Sequence, residues 1–163
     1  MFIHLQIFFK KSESKFTMIS KNISLLIAPC GMNCGICYAF LREKNKCPGC
    51  HGPNDSKPVT RVVCKIKTCE VIVNGKAGFC FECTDFPCYK LKHLDKRYRT
   101  KYYMSMIANL QCIRDSGIAE FLLKEKSNWT CTECGGTICV HTAKCCDCGK
   151  NIGSDKIQNF SVN

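Results

Sequence analysis

Seventeen cysteines in 163 residues, most of them paired as Cys-x-x-Cys, constrain this chain more than any other feature. Ten lie between Cys30 and Cys88, one is Cys112, and six lie between Cys131 and Cys148. No secretory signal precedes them, so disulfides of an oxidising compartment are not the first reading, and the expected location is cytoplasmic. Each Cys-x-x-Cys turn presents two sulfurs from one knuckle, and two knuckles close a tetrahedral metal site. The 45% hydrophobic content counts cysteine. Without it about 35% of the residues remain as ordinary core formers, thin for a packed domain. Structural zinc supplies what such a core lacks, contributing on the order of 10 kcal/mol of apparent binding energy in small domains. The fold is therefore expected to depend on metal.

The formal net charge of +11 treats thiols as neutral. A zinc ion held by four thiolates carries −2, so three such sites lower the total to about +5, basic but not extreme. Residues 2–9 form a short apolar run followed by Lys10 and Lys11. It lacks the preceding positive charge and the small-residue cleavage site of a signal peptide. It also falls far short of the ~20 apolar residues of a membrane helix. Residues 1–26 read as a disordered extension, with a more ordinary start at Met18.

Four regions follow. Residues 27–93 form a cysteine-rich metal-binding domain with turn signals at Pro48-Gly49, Gly52-Pro53-Asn54-Asp55 and Asn74-Gly75. Short helices are predicted from Gly35 to Asn45 and from Pro87 to Leu94. Residues 94–128 form a helical connector. There Tyr103, Ile107 and Leu110 recur at helical spacing behind an N-cap at Thr100, Ser116-Gly117 breaks the run, and Ile118, Phe121, Leu122 and Glu125 mark a second helix. Both stripes read as core packing. Residues 129–150 form a compact cysteine module and 151–163 a polar tail.

The most specific motif is the last one. Cys131, Cys134, Cys145 and Cys148 make Cys-x-x-Cys, ten residues, Cys-x-x-Cys, with Gly135 and Gly149 after the two knuckles. That spacing is a short zinc ribbon, two knuckles gripping one ion across a hairpin. Cys139 and Cys146 are surplus. Cys146 is an alternative ligand and His141 a substitute for one sulfur, although a hairpin side chain without a metal role is the preferred reading of His141. Trp129 is expected to cover the first knuckle.

The first region offers Cys30, Cys34, Cys37, Cys47, Cys50, Cys64, Cys69, Cys80, Cys83 and Cys88 as metal ligands. Ten sulfurs accommodate two four-cysteine sites, and spacing does not assign them. Two to three zinc ions are expected in all. Cys30-x3-Cys34-x2-Cys37 has the spacing of a radical-SAM motif, but no repeated strand-helix units follow to build the barrel that chemistry needs. A plain [4Fe–4S] cluster in this region is the alternative cofactor, since thiolates bind iron–sulfur clusters as readily as zinc.

Between the metal modules, residues 90–101 carry Lys90, Lys92, Lys96, Arg97, Arg99 and Lys101 against one acidic residue, Asp95. Tyr89, Tyr98, Tyr102 and Tyr103 interleave with them. Basic groups contact phosphates and aromatic faces stack on bases, so RNA or single-stranded DNA is a candidate partner. The bland alternative is a solvated helix edge whose tyrosines pack inward. Cys112 reads as a buried small apolar residue. His51 and His93 show no spacing for a nucleophile–base pair, and no Gly-rich phosphate loop appears. No active site is visible.

The run Pro29-Cys30-Gly-Met-Asn-Cys34-Gly-Ile-Cys37-Tyr, Cys47-Pro-Gly-Cys50, Cys64-Lys-Ile-Lys-Thr-Cys69 and Phe79-Cys80-Phe-Glu-Cys83-Thr-Asp-Phe-Pro-Cys88-Tyr-Lys-Leu resembles the cysteine-rich prokaryotic family called domain of unknown function 3795. The chain from Arg97 through the last knuckle looks like an extension seen in a subset of that family. The resemblance implies a zinc-binding protein of bacteria or archaea with no assigned reaction, its cysteine pattern falling on the ten residues from Cys30 to Cys88.

The expectation is a small irregular α+β protein: a metal-stapled cysteine-rich module, a two-helix connector and a C-terminal zinc ribbon. Its expected role is a non-enzymatic binding module for nucleic acid or a protein partner, with no membrane association and no small-molecule substrate. An iron–sulfur electron carrier or oxidant sensor is the alternative.

Overall fold

The computed structural model describes residues 25–153. The expected N-terminal extension up to residue 24 and the polar tail from residue 154 lie outside the described residues. The first module is built from tight turns: 3-10 turns at Cys34–Ile36 and Cys80–Glu82, and single-turn helices α1 (Tyr38–Leu41), α2 (Val59–Val62) and α3 (Glu70–Val73). The helix expected from Gly35 to Asn45 is thus broken in two. Cys37 takes extended backbone angles between the turn and α1, because the knuckle must reverse the chain there.

Two long helices follow, α4 (Tyr89–Tyr102) and α5 (Met106–Trp129). The helix boundary differs from the expected one. Thr100 is not an N-cap; it lies inside α4, its hydroxyl donating back to the Lys96 carbonyl at 2.9 Å. The cap of α5 is Ser105, whose Oγ accepts from the Ala108 N–H at 3.0 Å. Tyr103, expected to begin the second helix, instead ends the first in the left-handed region at φ 52°. What fixes this corner is Asp95, 2% exposed. Its carboxylate accepts from Ser105 Oγ at 2.7 Å, from the Ile107 N–H at 3.1 Å and from Arg99 Nε at 2.7 Å. One acidic side chain of α4 therefore satisfies an orphan donor at the start of α5. The expected break at Ser116-Gly117 is present: Gly117 leaves helical angles at φ 83°, ψ 162°, dividing α5 into two stretches.

After Thr130 the chain forms a two-stranded antiparallel hairpin, β1 (Ile138–Cys139) and β2 (Lys144–Cys145), with Ile138 opposite Cys145. Among the described residues the protein is thus small and mixed, helices plus one two-stranded sheet, as expected. Its core is shared rather than modular. Ala28 and Ile36 of the first module, Leu91 of α4, Met106, Leu110 and Trp129 of α5, and Ile138 and Val140 of the hairpin form one buried cluster. A second cluster joins Ile27 to Ile113 and Phe121, with half-buried Cys112 at its edge. Gly31 permits the close approach: at φ +82°, a Cβ there would stand 2.8 Å from the Met106 carbonyl oxygen and 2.9 Å from Leu110 Cγ. No helix among the described residues is long and apolar enough to cross a membrane.

Candidate metal centre

The C-terminal module closes around four sulfurs. Two knuckles, one at the end of α5 and one at β2, have the same backbone pattern. The Cys131 N–H donates to the Gly136 carbonyl at 2.7 Å, and the Gly135 N–H to the Cys131 carbonyl at 2.9 Å. In the second knuckle the Cys145 N–H donates to the Lys150 carbonyl at 2.9 Å, and the Gly149 N–H to the Cys145 carbonyl at 3.1 Å. Gly135 and Gly149 take φ +74° and +72°, the left-handed angles each turn needs. Asp147 braces the first knuckle by accepting from the Thr137 N–H at 3.2 Å. Lys150 and Glu133 form an ion pair across the two knuckles.

These turns bring Cys131, Cys134, Cys145 and Cys148 together, with all four sulfurs within 4.8 Å of one another. Cys131 lies 3.8 Å from Cys148, and Cys134 lies 3.5 Å from Cys145. A zinc ion with sulfurs at ~2.3 Å requires a tetrahedron with edges of about 3.8 Å, so the donor set fits a four-coordinate ion. Cys131 and Cys145 are buried, Cys134 and Cys148 exposed. The Cys134 amide, then that of Glu133, pulls the Cys131 thiol down to about 7. At Cys134 the Gly136 amide also pulls down, but hydrogen bonding with Cys148 and Cys145 wins and holds that thiol up at about 12. Four crowded sulfurs cannot all ionise alone; a dication makes four thiolates compatible.

The remaining cysteines of the module stand apart. Cys139 is buried in β1, and Cys146 is exposed with its backbone N–H on the Thr137 carbonyl at 2.9 Å. His141 points away from the sulfurs, toward the helices. Its Nδ1 accepts from the Tyr38 N–H at 3.2 Å, and its Nε2 lies 3.2 Å from Tyr98 Oη. An Nδ1 that accepts places the neutral ring's proton on Nε2, which donates to Tyr98. Tyr98 and Tyr102 meet the His141 ring edge-on, at 5.7 and 4.7 Å between centroids. Burial, then Arg61 and Arg97, lowers the pKa of His141.

Trp129 is buried in the core at the foot of the first knuckle. Its indole N–H donates to Glu125 Oε1 at 3.1 Å, while Asn33 Nδ2 donates to Glu125 Oε2 at 2.9 Å. Asn33 Oδ1 in turn accepts from the Gly35 N–H at 2.9 Å. This relay ties the first knuckle of the chain to the foot of the C-terminal module. Nothing in the sequence marked Asn33, Asp95 or Glu125 for such roles, because their partners lie far away along the chain.

The ten cysteines from Cys30 to Cys88 are grouped more loosely. Among the described residues, only the C-terminal four have sulfurs all within 4.8 Å of one another. Cys30, Cys34 and Cys37, whose spacing suggested a cluster motif, do not gather to that distance. Cys34 instead adjoins Cys50, its sulfur accepting from the Cys50 N–H at 3.4 Å. A side-chain hydrogen bond between the two thiols, then burial, raises Cys34 against the pull of the Cys50 N–H, and the same thiol–thiol bond lowers Cys50 to about 7. Buried Lys57 holds this loop by donating to the Cys50 carbonyl at 2.9 Å. Burial raises Cys30 and Cys37, beside Cys50 and Cys47 respectively. Burial, then the neighbouring Cys88, Cys69, Cys83 and Cys64, pushes Cys80 up to about 12.

The basic stretch lies on α4. Leu91, Leu94, Asp95, Tyr98 and Tyr102 face inward to varying degrees, whereas Lys92, Lys96, Arg97, Arg99 and Lys101 are exposed and Lys90 is half-buried. Two of the four interleaved tyrosines, Tyr98 and Tyr102, therefore pack inward on His141. Tyr89, 76% exposed, and Tyr103 remain outside. An open groove of about 450 Å³ runs between residues 64–66 and α4, lined by Lys65, Tyr89, Lys90, His93 and Arg97 among others.

No curated protein and no solved structure matches the chain. The stretch that carries the ten N-terminal cysteines does have relatives, as its cysteine pattern suggested: residues 26–93 match the family described as "Protein of unknown function (DUF3795)".

Proposed function

We propose that this protein is a zinc-stapled, non-enzymatic binding module whose α4 face contacts nucleic acid. The observation that carries the metal half is the closed set of four sulfurs at Cys131, Cys134, Cys145 and Cys148. A site with four protein thiolates has no open position for substrate or water, so its role is structural. It fixes a hairpin whose His141 docks on Tyr98 and Tyr102 of α4. Support for the nucleic-acid half is the exposed row Lys92, Lys96, Arg97 and Lys101, with Tyr89 and the groove beside it. Ammonium and guanidinium groups meet phosphates, and an exposed ring offers a stacking platform.

The test is zinc content per chain together with binding to short single-stranded RNA across a salt series. Bound zinc that is lost in Cys145→Ser/Cys148→Ser protein supports the metal half; zinc-free native protein overturns it. Affinity that falls linearly with the logarithm of salt supports the nucleic-acid half. Absent or salt-independent binding overturns that half and leaves a protein partner for the same face.

A further inference from the structure

We propose that Cys69, Cys80, Cys83 and Cys88 form a second four-thiolate site, which takes a zinc-class dication and pins the start of α4 to the first module. This deepens the metal-stapled reading and is independent of the nucleic-acid half.

All four residues line a single cavity of about 30 Å³. That volume exceeds the ~10–15 Å³ needed for one water-sized sphere and leaves no room for an organic ligand. The rest of its wall is Val71, Ile72, Phe86 and Leu91, with Asp85 as its one carboxylate. Thiolates are soft donors suited to a zinc-class ion.

The backbone delivers these sulfurs from three directions. Cys69 immediately precedes α3. Cys80 and Cys83 open and close a 3-10 turn, with the Cys83 N–H on the Cys80 carbonyl at 3.2 Å. That turn is held in turn by the Cys80 N–H on the Pro29 carbonyl at 2.9 Å. Cys88 is the N-cap of the 14-residue α4, where the positive end of the helix favours a thiolate. Cys64 also neighbours Cys80, but it lines the groove between residues 64–66 and α4 rather than this cavity. The four sulfurs are more widely spaced than the C-terminal set, with no three of them all within 4.8 Å. Ion entry therefore draws them inward, releases the thiol protons to solvent, and joins α3, the 80–83 turn and α4 in one step.

Native mass spectrometry of the full chain loaded with zinc alone tests this. Wild-type protein is expected to hold one more zinc than Cys83→Ser/Cys88→Ser protein, which keeps the ion at Cys131, Cys134, Cys145 and Cys148. Cys145→Ser/Cys148→Ser protein loses its own ion and retains the one proposed here. Equal zinc content in wild-type and Cys83→Ser/Cys88→Ser protein overturns the proposal, while an unchanged count in Cys145→Ser/Cys148→Ser overturns only the C-terminal assignment. Because the serine variant can fail to fold, thiol alkylation of wild-type protein during stepwise chelation gives a second readout. Cys69, Cys80, Cys83 and Cys88 should become reactive together, in a step separate from the C-terminal four. Free reactivity of these four in zinc-loaded protein sinks the idea.

Discussion

One glycine and one histidine show how single positions hold the C-terminal module. Around Gly149 nothing lies within 4 Å of where a Cβ would stand, so a side chain there meets no obstacle except its own backbone at φ +72°. The left-handed conformation costs an L-residue roughly 1–2 kcal/mol, and asparagine tolerates it better than most. Gly149→Ala should therefore lower the stability of zinc-loaded protein by about 1 kcal/mol, and Gly149→Asn by less, as read by denaturant titration. Gly149→Val should cost more than either; equal costs for valine and asparagine would show that backbone strain is not the cause. His141 is a pH-dependent clasp. Its folded pKa is lowered, so the unfolded chain takes up the proton first, near the ordinary ~6.5. The stabilisation is fully present above that value and fades as pH falls below it. With zinc saturating, the stability gap between wild type and His141→Gln should be widest near about pH 7.5 and shrink toward about pH 5.5. A gap that widens on acidification would contradict this.

At the scale of elements, legibility tracked how local each signal is. The Cys131–Cys148 set could be read from spacing because each knuckle is a four-residue turn and the hairpin between them is short. The corner between α4 and α5 could not. Thr100 is a good cap in isolation, yet the helix runs through it because Asp95 stabilises the later start at Ser105. The choice between those starts is tertiary. The grouping of Cys69 with Cys80, Cys83 and Cys88 was hidden for the same reason, since the spacings between them are irregular and only the fold makes them neighbours. For α4 itself, the charged residues were legible but the direction of its tyrosines was not. Lys92→Ala/Lys96→Ala/Arg97→Ala should weaken single-stranded RNA binding and flatten its salt dependence, by roughly 0.7 in log–log slope for each lost phosphate contact. Tyr89→Ala should cost about 1–3 kcal/mol if a base stacks there. Tyr98→Phe should leave RNA affinity unchanged, because that ring lies against His141. A large loss of affinity in Tyr98→Phe would mean that the contact surface has been drawn on the wrong side of the helix.

For the molecule as a whole, the relevant comparison is between metal and core. A domain of ordinary size retains about 5–15 kcal/mol of net stability. One structural zinc contributes on the order of 10 kcal/mol in small domains, so chelation removes as much as the whole margin. Exhaustive chelation under reducing conditions should abolish the cooperative thermal transition seen by circular dichroism, and zinc should restore it. A transition that survives chelation would show that the shared cluster of Ala28, Leu91, Leu110, Trp129 and Ile138 suffices alone.

That cluster has a consequence for chain architecture. The floor on which Gly31 and Ala28 rest is supplied by Met106 and Leu110, well beyond residue 93 where the family match stops. Cutting the chain there would strip the greasy underside of the first module bare. A shorter protein carrying that module must borrow a replacement floor, from a twin molecule or from a different downstream segment.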